Sequence, residues 1–140
     1  MSRIFWDTNL FIYLFEGSAV FGGQVASLRE KMLRRGDQLV TSALTLGEVL
    51  VKPMKEGNTK LLKEYSEVIP QVAVLLPFDA KAAMAYAQLR GDSGMRAPDA
   101  IQLACAAAFG VDLFVTNDAR LHNRQVPGIQ FIVPLERVPI

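Results

Sequence analysis

Four carboxylates, Asp7, Glu48, Asp99 and Asp118, each lie at or near a point where an apolar run gives way to a helix start. They occur in Phe5-Trp6-Asp7-Thr8-Asn9, Thr45-Leu46-Gly47-Glu48, Ala97-Pro98-Asp99-Ala100 and Val115-Thr116-Asn117-Asp118. If the apolar runs are parallel strands, their C-terminal ends line one crevice, which is where ligands bind in open α/β sheets. Carboxylates converging there repel one another unless a cation sits between them. A hard divalent metal, serving phosphodiester hydrolysis, is the chemistry such a cluster implies.

Taken singly, each acid also has a structural explanation. Thr45-x-x-Glu48 reads as a capping box, with Thr45 as N-cap and Glu48 reaching back, and Glu48 with Lys52 as an i, i+4 surface pair. Asp99 follows Pro98 in a first turn, where the helix dipole favours an anion. Asp118 with Asn117, and Asp7 after the first strand, read as helix caps. The coincidence is what separates the readings. Asp7 and Asp118 follow the first and fourth predicted strands, which are neighbours if the sheet reverses direction around strand one. Glu48 lies one turn into the helix after strand two, and Asp99 opens the helix leading into strand four. All four face one end of one sheet, which caps do not require.

The elements that would position them alternate. Arg3–Trp6, Gln38–Thr41, Val72–Leu76, Asp112–Val115 and Ile129–Val133 read as strands. Helical spacing runs between them at Val25, Leu28 and Met32, at Leu46, Val49, Leu50 and Met54, and at Leu62, Tyr65 and Ile69. It continues at Ala83, Met84 and Ala87 and at Ile101, Leu103, Ala104 and Cys105. Gly36-Asp37 and Gly110 supply helix stops. Asp92-Ser93-Gly94 reads as a loop, and Lys52 to Lys63 as an exposed hairpin between two helices. Helices between most strands imply crossovers and a mainly parallel sheet covered on both faces.

With 140 residues, the chain reads as one α/β domain over 1–140, able to bury a core without staples. A single cysteine, Cys105, and a single histidine, His122, exclude a disulfide framework and argue against a Cys/His zinc site. Cys105 reads as a buried packing residue. The opening Met-Ser-Arg-Ile-Phe-Trp-Asp lacks a signal-peptide layout, and the longest apolar stretch, Leu103 to Val111, is far short of the ~20 residues that span a bilayer. The expected location is cytoplasmic, with no membrane partner. A net charge of +1 gives no global basic footprint, but acids gathered in one pocket and offset elsewhere leave a polarised surface that is neutral in sum.

In order, spacing and length, the chain resembles PIN-domain ribonucleases, in particular the VapC-like toxins of toxin–antitoxin pairs. The residues that carry the resemblance are Asp7-Thr8-Asn9, Thr45-x-x-Glu48, Asp99-Ala100-Ile101-Gln102-Leu103-Ala104 and Val115-Thr116-Asn117-Asp118. The resemblance implies a three-layer sandwich with a mainly parallel five-stranded sheet flanked by helices. It implies Asp7, Glu48, Asp99 and Asp118 as the acids holding Mg²⁺ or Mn²⁺, with Asn9, Thr116 and Asn117 as supporting polar neighbours and Thr8 shaping the turn. It further implies an RNA substrate, a small antitoxin partner and a homodimer, for which the helices around Leu46–Met54 and Leu61–Ile69 are the candidate contacts. The chain has no histidine pair to activate a ribose 2′-OH, so attack by water is expected, leaving a 5′-phosphate and a 3′-hydroxyl.

Arg96, Arg120 and Arg124 flank the acidic segments and read either as phosphate contacts or as solvated surface charges. His122 offers a general base that metal chemistry does not need. Trp6 reads as core, and Asp92 is an acid without an assigned role. Two rival functions use the same residues. An aspartyl-phosphate phosphotransfer domain would use Asp7 as nucleophile, yet Asn9 stands where a haloacid dehalogenase has a second Asp. Pro134-Leu135-Glu136 likewise stands where a receiver has its lysine. A non-catalytic protein-binding module is the other rival, although such degenerate forms lose acids and all four are present here.

Overall fold

The computed structural model describes the backbone of residues 1–140 and every side chain but those of Asp92 and Ser93. Five strands form one sheet: β1 (Arg3–Trp6), β2 (Gln38–Ser42), β3 (Val74–Leu76), β4 (Val111–Val115) and β5 (Ile129–Val133). Their order is β3-β2-β1-β4-β5 and every pairing is parallel, so the expected mainly parallel sheet is parallel throughout the described strands. Parallel neighbours need crossovers, supplied by α1 (Thr8–Phe15), α2 (Gly22–Arg35), α3 (Ala43–Lys55), α4 (Thr59–Val72), α5 (Ala80–Ser93) and α6 (Ala97–Phe109). The chain winds outward from β1 to β3 and then returns to lay β4 against the other side of β1. The order therefore reverses between β1 and β4, and their C-terminal ends flank the switch-point crevice.

The central strands β2, β1 and β4 are buried on both faces, which is why they read as continuous apolar runs rather than alternating ones. Ile4 and Trp6 of β1 face one core with Leu10 and Phe11 of α1, Val25, Leu28 and Met32 of α2, Val49 of α3 and Ile69 of α4. Phe5 points the opposite way, into a second core with Val40, Ala82 of α5 and Ala100, Leu103, Cys105 and Ala106 of α6. Phe5 and Phe114 stack at 4.7 Å across the β1–β4 seam, which fixes the register beneath the crevice. Among the described residues no helix is long and apolar enough to cross a membrane.

Local differences from the sequence reading have physical causes. α4 continues through Val72, so β3 begins at Val74 rather than Val72. The predicted Asp92–Gly94 loop is helical backbone up to Ser93, and only Gly94 leaves it, at φ 63° in the left-handed region that glycine tolerates. The Lys52–Lys63 hairpin is mostly helix and turns over Glu56-Gly57-Asn58, with Asn58 capping α4. On α5 the inward face is Ala82, Ala85, Tyr86 and Leu89, while Ala83, Met84 and Ala87 are exposed. With alanines on every side of the helix, the apolar pattern there carries no phase.

Candidate active site

Asp7 follows β1 directly, its backbone N–H donating to the Val115 carbonyl of β4 at 3.0 Å. It caps α1 by accepting the Thr8 backbone N–H on Oδ1 at 2.8 Å. On Oδ2 it accepts the Thr116 hydroxyl at 2.7 Å. The Thr116 hydroxyl oxygen also accepts the Asp118 backbone N–H at 3.0 Å, so one side chain ties the ends of β1 and β4 together. The cap and the crevice positions are thus the same place, and the two readings of Asp7 do not compete. Asp118 likewise caps a short 3-10 turn over Ala119–Leu121.

Beneath these acids lies a buried polar network that sequence reasoning did not assign. Gln102 of α6 donates through its amide nitrogen to Thr45 Oγ1 at 2.7 Å, to Thr8 Oγ1 at 3.1 Å and weakly to Asp7 Oδ1 at 3.4 Å. Its amide oxygen accepts the Ser42 hydroxyl. Thr8 Oγ1 in turn donates to Glu48 Oε1 at 2.6 Å. The hydroxyl protons and amide hydrogens therefore run from Ser42 through Gln102 and Thr8, ending on a carboxylate that can only accept. Glu48 is oriented from α1 and α6, not by capping its own helix. The expected capping box is replaced: α3 begins at Ala43 with Ser42 as its N-cap, and Thr45 is turned into the network. The expected Glu48–Lys52 pair is also absent among the described contacts, since Lys52 pairs with Glu16, which caps the C-terminus of α1, at 2.6 Å. A buried serine, two threonines and a glutamine leave no periodic trace. The one available signal was a polar residue inside the apolar face of α6.

Asp99, in the first turn of α6, and Asp118 are held by arginines. Arg120 reaches Asp118 Oδ2 at 2.5 Å and Asp99 Oδ2 at 3.9 Å, and Arg96 Nε reaches Asp99 Oδ2 at 3.2 Å. Two of the three arginines read as phosphate contacts, Arg96 and Arg120, are thus paired with the site's own acids. The remaining polar residues scatter. Asn9 is exposed. Asn117 accepts the Leu135 backbone N–H at 3.0 Å and so braces the segment after β5. His122 Nε2 bonds the Thr116 carbonyl at 2.7 Å, a bond in which the ring nitrogen must donate. Trp6 and Cys105 are buried, and burial pushes the Cys105 thiol up to about 11, which removes it as a nucleophile. A partly open cleft of about 150 Å³ between α1, α3 and α4, lined by residues such as Ile12, Phe15, Val49 and Tyr65, includes none of the four acids in its lining.

The electrostatics divide the acids into two kinds. Burial pushes the Asp7 carboxyl above its ordinary value; hydrogen bonds from Thr116 and Thr8 oppose the rise, and the charges of Glu48 and Asp99 add to it. Among the described residues no cation pairs with Asp7. Asp118 moves the other way, held low chiefly by its hydrogen bond to Arg120. Mg²⁺ and Mn²⁺ favour oxygen ligands, and the donor set is all carboxylate, with one half-buried member, Asp7, that pairs with no described cation. In chemistry it fits such an ion. In the arrangement shown, no three His, Cys, Asp or Glu side chains among the described residues come close enough to share one.

A wholly parallel α/β sheet whose order reverses between β1 and β4, with Asp7 and Asp118 following those two strands, sets the class of protein. The PIN-domain family model matches residues 4–126, and the chain belongs to that family. No curated protein is a significant sequence match. Solved structures share the fold across nearly the whole chain. VapBC2 from Rickettsia felis, bound to a promoter DNA fragment, has a TM-score of 0.76 at 15% identity over 94% of this chain and 98% of that one. DNA-bound VapBC from Salmonella typhimurium has 0.68 at 21%, over 96% and 99%. VapBC-5 from Mycobacterium tuberculosis has 0.61 at 22%, over 96% and 99%. The fold is VapC-like and PIN.

Proposed function

We propose that residues 1–140 form one PIN-like unit acting as a metal-dependent endoribonuclease, the toxin of a toxin–antitoxin pair, with Asp7, Glu48, Asp99 and Asp118 as its acidic site. The observation that carries this reading is Asp7: it is half-buried at the switch point, within the influence of Glu48 and Asp99, and among the described residues it pairs with no cation. Membership of the PIN family and the VapC-like fold support the nuclease class. Asp7, Glu48, Asp99 and Asp118 would hold Mg²⁺ or Mn²⁺, which when bound activates water and stabilises charge on the phosphate. The chain's own residues do the rest. Thr116 and Thr8 N–H hold the Asp7 carboxylate, Thr8 and Gln102 orient Glu48, and Arg120 and Arg96 neutralise Asp99 and Asp118. Asn9, exposed beside Asp7, is available to substrate.

Arg120 would compete with a divalent ion, because it pairs with two of the carboxylates that would hold one. Mn²⁺ is expected to raise the melting temperature at pH 7.5 under matched ionic strength, equivalent to ~2.7 kcal/mol at a hundredfold excess over the dissociation constant. Arg120→Gln is expected to move that titration to lower Mn²⁺, since a competing cation is gone. RNA cleavage should require the same ion. A flat melting curve with no Mn²⁺- or Mg²⁺-dependent cleavage would remove the nuclease reading. It would leave the non-catalytic protein-binding module, which the pairing of Asp99 and Asp118 with arginine also suits.

The reading includes a small antitoxin as protein partner, a cytoplasmic location and a homodimer. α3 and α4 are the proposed dimer contact, because Val51, Met54 and Val72 expose apolar surface there. Sedimentation velocity at micromolar concentration should show a dimer, and a Met54→Glu monomer would support the assigned face. A wild-type protein that sediments only as a monomer would count against it.

A further inference from the structure

β5 is an edge strand, and an open trough of about 690 Å³ runs along it, closed on one side by the loop that precedes the strand. Phe131 stands in this trough with 64% of its surface exposed, flanked by Gln130, Gln125, Arg124 and His122. No Asp or Glu lines the trough. Arg124 is half-buried and, among the described residues, makes no ion pair, unlike Arg96 and Arg120. An exposed aromatic ring, one uncommitted guanidinium and amide side chains, with no acid, form a surface complementary to a single strand of nucleic acid. Unstacked bases lie on aromatic rings, phosphates pair with arginine, and amides read base edges.

The trough also leads to the acids. His122 donates to the Thr116 carbonyl at 2.7 Å, and the Thr116 hydroxyl holds Asp7 at 2.7 Å. Val133 lies beside Val115 in register, and its carbonyl accepts the Thr116 backbone N–H at 3.0 Å. Phe131 is two residues back along the strand, roughly 7 Å from that level at strand rise. A peptide adding to the free edge of β5 is the alternative occupant. It would engage the strand backbone and would leave Arg124 without a function, so the side chains favour RNA.

We propose that this trough binds a single-stranded segment of the RNA substrate, with one base stacked on Phe131 and the backbone passing Arg124 towards the acidic crevice. The inference rests on the nuclease reading, and its test separates the two. In an Asp7→Asn background, the affinity for a fluorescein-labelled single-stranded RNA of ~12 nucleotides is read by fluorescence anisotropy. Melting curves run alongside confirm folding, which the exposure of Phe131 favours. Phe131→Ala is expected to weaken binding by ~5- to 150-fold and Phe131→Trp to restore it, since each base stacked on an aromatic is worth that range. Arg124→Gln should weaken binding and reduce the salt slope by about 1. Unchanged affinity in Phe131→Ala, while the wild-type protein still cleaves RNA with Mn²⁺, would overturn the trough and leave the nuclease reading intact. Absence of both binding and cleavage would overturn both. Loss of a protein partner from Phe131→Ala with RNA affinity unaltered would assign the edge to strand addition and overturn the proposal.

Discussion

Asp7→Asn is expected to reduce Mn²⁺-dependent RNA cleavage by ~10³-fold or more while leaving the protein folded. Removing one anionic oxygen from a metal-binding carboxylate forfeits several kcal/mol of transition-state charge stabilisation, and each ~1.4 kcal/mol is a factor of ten. Asparagine keeps the shape and can still accept the Thr8 N–H, so the α1 cap survives the change. Stability should move opposite to activity. Asp7 has a raised folded-state pKa, so its favourable contribution is present below the unfolded value and is lost as pH rises through the folded one. Above that range the half-buried charge, with no described cation paired to it, is a net cost that asparagine removes. The apo variant should therefore melt no lower than wild type at pH 7.5, and the difference should shrink as pH falls into the carboxylate range. Asp118 has the reverse sign: held low by Arg120, it contributes stability above its unfolded value that is lost as pH falls through the folded one. Full cleavage by Asp7→Asn would take that residue out of the site, and loss of activity with unfolding would reduce it to a helix cap.

The sequence was informative where apolar periodicity and chemistry coincide. β1 and β5 are recovered to the residue, because Arg3–Trp6 and Ile129–Val133 are short apolar runs bounded by turns or acids. The placement of Asp7 and Asp118 on adjacent strands followed from the winding of parallel crossovers and is met by the β1–β4 pairing. Three other features left too weak a trace. The phase of α5 is hidden by its alanines, which bury or expose almost no area either way. The N-cap of α3 lies at Ser42 rather than Thr45, because β2 runs one residue longer than its β-branched core and a threonine suits cap and network equally. The pairing of Asp99 and Asp118 with Arg120 depends on contacts of long side chains, which spacing alone does not encode. The four acids stand as a proposed set. What holds them in place was not legible.

Gln102 is the residue on which that support converges, and its replacement by leucine should have the largest effect on stability. Gln102→Leu keeps the volume of a side chain only 3% exposed but strands the Ser42 hydroxyl and removes a donor from both Thr8 and Thr45. A buried polar group left without its partner costs ~1–3 kcal/mol, so a loss on the order of 2–4 kcal/mol in urea denaturation is expected for the network. Cleavage by the variant should also fall well below its melting temperature, mainly in kcat, because Thr8 no longer holds Glu48 from a fixed position. A structural role alone would lower stability without that kinetic change. The energetic half is tested by a double-mutant cycle with Thr45→Val, whose hydroxyl is the shortest-range partner of the Gln102 amide nitrogen. If the two side chains satisfy one another, the pair of substitutions should cost at least ~1 kcal/mol less than the sum of the single ones, since removing both polar partners leaves fewer groups unsatisfied. Additive costs would mean that Gln102 and Thr45 are satisfied independently of one another by other partners. The acids would then owe their placement to the backbone caps at Asp7 and Asp118, and Gln102→Leu should leave kcat unchanged.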